Sequence, residues 1–142
     1  MLNLTSNLQK SAQLVTLYLD KFRKDYGVTQ PEAYVLAVLH VRGETSIRNL
    51  HQTLGHKPST LTSILDRLVA RGFITRETSQ TDRRSFNVEL TLAGTVPAAA
   101  IRAALHSLEN KIVRRSVSAD IRGITRVTST LEELIISTRR AE

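Results

Sequence analysis

The feature that most restricts this chain is a change of period. Up to Arg71-Gly72 the apolar residues recur at helical spacing. Over Phe73 to Glu77 and Phe86 to Leu90 they alternate, and from Thr91 onward they are helical again. Alternation over five residues on each side of a polar stretch predicts two strands joined as a hairpin. The connection from Thr78 to Ser85 is charged and carries Asp82-Arg83-Arg84 at its tip. A chain that is otherwise helical must pack this hairpin against helices, which narrows the available folds to a few.

What precedes the hairpin narrows them further. Ser46 can cap a short helix with Ile47, Leu50 and Leu54 facing inward, and Gly55 stops it. After His56-Lys57, Pro58 opens a second helix whose Leu61, Ile64, Leu65, Leu68 and Val69 share one side. Two short helices joined by a tight glycine-containing turn have the form of a helix-turn-helix, and a basic hairpin directly after it is a wing. Upstream, Leu4, Leu8, Ala12, Val15, Leu19 and Phe22 lie on one stripe of a first helix that Gly27 ends. Thr29, Pro31 and Glu32 then form a helix start, with Ala33, Leu36, Ala37, Val38 and Leu39 continuing inward. Downstream, one helix follows Thr91. A last one carries Val117, Ile121, Ile124, Val127, Leu131 and Leu134 at helical steps. Pro97 removes a backbone hydrogen bond early in the fifth helix and is expected to kink or restart it.

Charge points to a polyanionic partner. The 142 residues carry 20 Lys and Arg against 13 Asp and Glu, a net charge of +7. The densest excess lies in residues 57–84, with 6 basic and 3 acidic groups, so it belongs to a folded patch. A solvated charged surface would give the same count. There is no cysteine, which excludes disulfides, thiolate metal sites and thiol redox sensing. His40, His51, His56 and His106 have no metal-ligand spacing, and no phosphate loop, nucleophile elbow or convergent acid pair occurs. No enzymatic activity, metal or cofactor is expected. With no membrane-length apolar run and no signal-peptide block at the start, a soluble cytoplasmic protein is expected.

Two stretches resemble the MarR family of transcriptional regulators: Ser59 to Ile74, and Asp82 to Gly94. The second fits the family's wing pattern, D-x-R followed by V-x-L-T-x-x-G, at Asp82, Arg84, Val88, Leu90, Thr91 and Gly94. The resemblance implies a mainly α fold with a small β-hairpin wing. A winged helix-turn-helix lobe over 29–92 would be flanked by helical dimerisation regions at 1–26 and 93–142, all within one domain. It implies a homodimeric repressor on palindromic double-stranded DNA. The recognition helix would enter the major groove and Arg84 the minor groove, with Asp82 orienting Arg84 or bracing the loop.

The DNA contacts expected are Lys57, Ser59, Thr60, Thr62, Ser63, Arg67, Asp82, Arg83 and Arg84. Lys57 and Arg83 suit phosphate. The hydroxyls bind phosphate readily and bases weakly. The family often has Arg after the recognition-helix Thr, but Ser63 stands there, leaving Arg67 as the candidate for guanine; an ordinary surface or intrahelical partner is the alternative. The dimer seam implied is Leu8, Val15, Leu19, Ile121, Ile124, Leu131 and Leu134, although a monomeric core face has the same periodicity. A small aromatic or anionic effector would be lined by Tyr18, Phe22, Tyr26, Tyr34 and His40, residues that equally suit a plain core. Two rivals are a winged-helix protein-interaction module without DNA binding and a basic helical protein on an anionic membrane. The first should lack a basic wing tip. The second needs a strongly cationic final helix, whereas Asp120, Glu132 and Glu133 interrupt this one.

Overall fold

The computed structural model describes residues 3–82 and 84–141; Arg83, expected at the wing tip, lies outside them. The order is α1 (Asn3–Lys24), α2 (Gln30–Arg42), β1 (Thr45–Ser46), α3 (Ile47–Leu54), α4 (Pro58–Ala70), β2 (Ile74–Thr78), β3 (Phe86–Leu90), α5 (Leu92–Val113) and α6 (Ser118–Ala141). Two compact units result, one through Leu105 and the other from His106.

Local chemistry sets most boundaries in the first unit. Thr29 caps α2 with a reciprocal capping box: the Glu32 N–H donates to Thr29 Oγ1, and the Thr29 N–H donates to Glu32 Oε2 at 3.0 Å. Ser46 caps α3 by accepting from the Asn49 N–H at 3.1 Å, and Gly55 ends that helix in the left-handed region at φ 71°. Pro58 opens α4.

The sheet has three strands in the order β1-β3-β2, all antiparallel. The hairpin has Ile74 opposite Leu90 and Thr78 opposite Phe86, so its first strand begins and ends one residue later than the alternation suggests. The third strand, β1, was not expected. Thr45 pairs with Val88 and Ser46 with Asn87, and Asn87 Nδ2 donates to Glu44 Oε1 at 2.8 Å. Ser46 therefore ends a strand and caps a helix at once, which fixes the start of α3 to the base of the wing.

One core holds this unit. Val28, Val35, Leu36 and Leu39 of the α2 region pack with Leu50, Leu61, Ile64, Leu65, Leu68, Ile74, Val88, Ala98 and Ile101. It reaches past the expected lobe boundary at residue 92 into α5. Pro97 does not restart α5, which runs unbroken with Pro97 buried inside it. Burial of Ala98 and Ile101 in the core offsets the missing backbone bond, so packing overrides propensity here.

In the second unit, α6 begins where the Val117 N–H donates to Asp120 Oδ2 at 2.9 Å. Ile121, Ile124, Leu131 and Leu134 all lie exposed on it. Among the described residues no helix is long and apolar enough to cross a membrane.

Candidate nucleic-acid interface

The inward stripe of α4 consists of Leu61, Ile64, Leu65 and Leu68, each at most 1% exposed. Helical geometry then leaves Ser59, Thr60, Thr62 and Ser63 outward, and all four are exposed. Thr62 Oγ1 donates to Pro58 O at 2.9 Å and Ser63 Oγ to Ser59 O at 3.1 Å. Their protons are engaged within the helix, so towards a ligand these two hydroxyls offer lone pairs. Lys57 occupies the N-cap position with no side-chain cap bond, which leaves the first N–H groups of α4 open to an acceptor.

The basic residues of 57–84 divide in two. Three of them are bound up in the fold. Arg67 Nε donates to Glu32 Oε1 at 2.7 Å, and that carboxylate is buried. Its partner is thus on α2, not within its own helix. Arg71 donates through Nη1 to Gly27 O and through Nη2 to Tyr26 O at 2.6 Å, with its guanidinium over the Phe73 ring. Arg76 pairs through Nη2 with Asp66 Oδ1 at 2.7 Å and lies over the Phe86 ring. Lys57 and Arg84 have no anionic partner among the described residues, and both are exposed.

Asp82 organises the wing tip. Its Oδ1 accepts from the Arg84 N–H at 2.9 Å, and its backbone carbonyl accepts from the Ser85 N–H at 3.0 Å. Ser79 closes the loop by donating its N–H to Ser85 O at 2.9 Å. Of the two roles expected for Asp82, the geometry is that of a loop brace, and the Arg84 side chain is left unengaged by it.

Arg84, Ser85 and Phe86 face Pro58, Leu61 and Thr62 of α4 and Ile47, Arg48 and His51 of α3 across an open cleft of about 280 Å³. The recognition helix, the preceding helix and the wing therefore converge. Arg48 and His51 were not singled out from sequence. The inward set Ile47, Leu50 and Leu54 already placed Arg48 on the outer face of α3, so the signal for it was present.

The other expected residues are placed as follows. Tyr18 and Phe22 pack as a tilted pair with ring centroids 5.8 Å apart, and Lys21 Nζ sits 4.9 Å from the Phe22 centroid. Tyr26 packs on the core and Tyr34 is half-buried, whereas His40 is exposed near the end of α2. The cleft at the wing contains none of these five. Within the expected dimer seam, Leu8 and Val15 are partly exposed, but Leu19 is fully buried within the single chain. A residue with no accessible surface is already a core residue and offers nothing to a second copy.

A short helix pair, an outward polar face on the second helix and an adjoining three-stranded wing define a winged helix-turn-helix protein. Residues 26–85 match the MarR family. It is similar to the HTH-type transcriptional regulator PecS of Dickeya dadantii, 37% identical over 90 residues, covering 61% of this chain and 54% of PecS. It is also similar to the HTH-type transcriptional repressor MdtR of Bacillus subtilis, 33% identical over 70 residues, covering 49% of this chain and 45% of MdtR. Its fold is similar to that of Staphylococcus epidermidis reduced AbfR bound to DNA: TM-score 0.73 at 24% identity, over 94% of this chain and 91% of AbfR. The chain spans about half the length of the curated relatives it matches.

Proposed function

We propose that this protein is a DNA-binding transcriptional regulator, acting as a homodimeric repressor on palindromic duplex DNA. The observation that carries the reading is the convergence of the α4 N-terminus with Arg84 of the wing, each presenting cationic or hydrogen-bonding groups that the fold itself does not use. Open N–H groups at the start of α4, beside Lys57, suit a phosphate. Ser59, Thr60, Thr62 and Ser63 then lie where a helix in the major groove meets base edges, and Arg84 at a hairpin tip suits the minor groove. The match of residues 26–85 to the MarR family, the regulatory names of the relatives and the AbfR complex with DNA support the same reading.

Two copies of α4 facing successive major grooves account for a palindromic site with half-sites about one helical turn apart. The exposed Ile121, Ile124, Leu131 and Leu134 of α6, with Leu8 and Val15 of α1, supply apolar surface for that pairing. Counting Arg48, Lys57 and Arg84 in each subunit, roughly six phosphates would be neutralised per dimer, for a slope of log affinity on log salt near −5. Work in the cytoplasm and release by a small aromatic or anionic effector at Tyr18, Phe22, Tyr26, Tyr34 and His40 complete the proposal, which assigns no catalytic role.

The test is selection from a random duplex pool with the purified protein. A palindromic consensus is expected. No enrichment at low salt would overturn the reading in favour of a protein-interaction module.

A further inference from the structure

Arg67, in the last turn of α4, and Arg71, its C-cap, stand one turn apart, and both reach the same corner of the fold. Arg67 Nε donates to Glu32 Oε1 at 2.7 Å, while the other oxygen of Glu32 accepts the Thr29 N–H at 3.0 Å. Arg71 binds the carbonyls of Tyr26 and Gly27. The next carbonyl, Val28 O, accepts from Arg23 Nη1 at 3.1 Å, and Arg23 is itself paired with Asp20 on α1 at 2.7 Å. Three consecutive carbonyls of the α1–α2 corner are thus taken by guanidinium groups from the two sides. Gly27 sits at φ 64° within this corner, and a Cβ there would stand 3.2 Å from Arg71 Nη1.

We infer that Arg67 and Arg71 are positioning residues: they clasp the C-terminal end of α4 to the α1–α2 corner and the first turn of α2, and so set the rotation at which the N-terminal half presents Ser59 to Ser63. This rests on the DNA-binding reading above and assigns Arg67 a different part in it from guanine recognition. The geometry decides between the two. The Nε of Arg67 is committed to a carboxylate that is 3% exposed, and although the Arg67 side chain is itself half exposed, releasing it would leave the buried Glu32 charge without its partner. A charge-assisted bond of this kind fixes direction as well as distance. Displacement of the end of α1 then moves the corner carbonyls, and through them α4, so the clasp couples the first helix to the DNA face.

The experiment compares Arg67→Gln, Glu32→Gln and the double variant with the parent protein. It measures affinity for the selected operator and for a scrambled duplex across a salt series, with thermal unfolding of each protein alongside. A clasp predicts that either single change lowers operator affinity roughly 3–30-fold while scrambled-duplex affinity holds. The double change should cost no more than the worse single one, because both break one link. The salt slope should stay at the parent value. A slope shallower by about 1 per subunit for Arg67→Gln, with Glu32→Gln indistinguishable from the parent, would overturn the inference and return Arg67 to direct contact. Equal losses on both duplexes that track a lowered Tm would overturn it as well, leaving only a structural ion pair. Failure of the parent protein to prefer any duplex would instead sink the DNA-binding reading, and the inference with it.

Discussion

The Cα of Gly94 lies against the backbone of Phe73: a Cβ added there would stand 2.8 Å from the Phe73 carbonyl carbon and closer still to its oxygen. That oxygen also accepts the Thr91 N–H at 3.0 Å, so it is held in place and cannot give way. The wing's exit is locked by this contact, since Thr91 Oγ1 donates to Gly72 O at 2.6 Å and accepts the Gly94 N–H at 3.0 Å. Gly94→Ala is expected to destabilise the first unit by about 3 kcal/mol or more, at the upper end of overpacking costs. Urea unfolding checks this, and a loss under 1 kcal/mol would refute the lock.

Thr91 tests the other half of the same arrangement. Thr91→Val keeps the shape and removes the hydroxyl, orphaning the Gly94 N–H and one bond to Gly72 O. A loss of about 1–2 kcal/mol is expected, as for other helix N-caps. Thr91→Ser should recover most of it in the same unfolding assay.

Arg84 is exposed, and only its backbone takes part in the loop through Asp82. Arg84→Ala is therefore expected to leave Tm nearly unchanged while weakening operator binding severely, by about 1–3 kcal/mol per subunit. An unaltered gel-shift titration would remove Arg84 from the interface.

Asp82 should separate from Arg84 in size of effect. Asp82→Ala deletes the acceptor for the Arg84 N–H but leaves the cation itself, so the tip loosens without losing charge. Operator affinity is expected to fall less than for Arg84→Ala, with the salt slope retained. A loss equal to that of Arg84→Ala would give Asp82 a role beyond bracing the turn.

The parts of the fold legible in the sequence are those whose cause is local. Ser46, Gly55 and Pro58 mark helix ends by chemistry that acts within a turn, and the alternation at Phe86 to Leu90 marks a strand, although of its apolar residues only Val88 is fully buried. The strand at Thr45–Ser46 was not legible because two residues carry no period, and its partner Val88 lies 43 positions away. The pairing of Arg67 with Glu32 spans 35 positions. The Thr29–Glu32 spacing announces a cap but says nothing of a second use for the carboxylate. For the same reason the basic excess over 57–84 overstates the free cations, since Arg67, Arg71 and Arg76 are taken by partners that periodicity cannot reveal.

The exposed stripe of α6 yields the last prediction. Ile124 and Leu131 are 49% and 47% exposed in the single chain, so an aspartate at either position meets water and leaves the first unit's core untouched. If these residues meet a second copy, the same change buries a carboxylate without a partner, at a cost of several kcal/mol that the pairing cannot absorb. Ile124→Asp with Leu131→Asp is expected to convert a dimer to monomer in sedimentation equilibrium. Unfolding of the helix-turn-helix core should be altered only as far as the lost association requires. Operator affinity should collapse at the same time, because one recognition helix alone can read only half of a palindrome. A double variant that stays dimeric would show that α6 is not the seam and leave its apolar face to some other use.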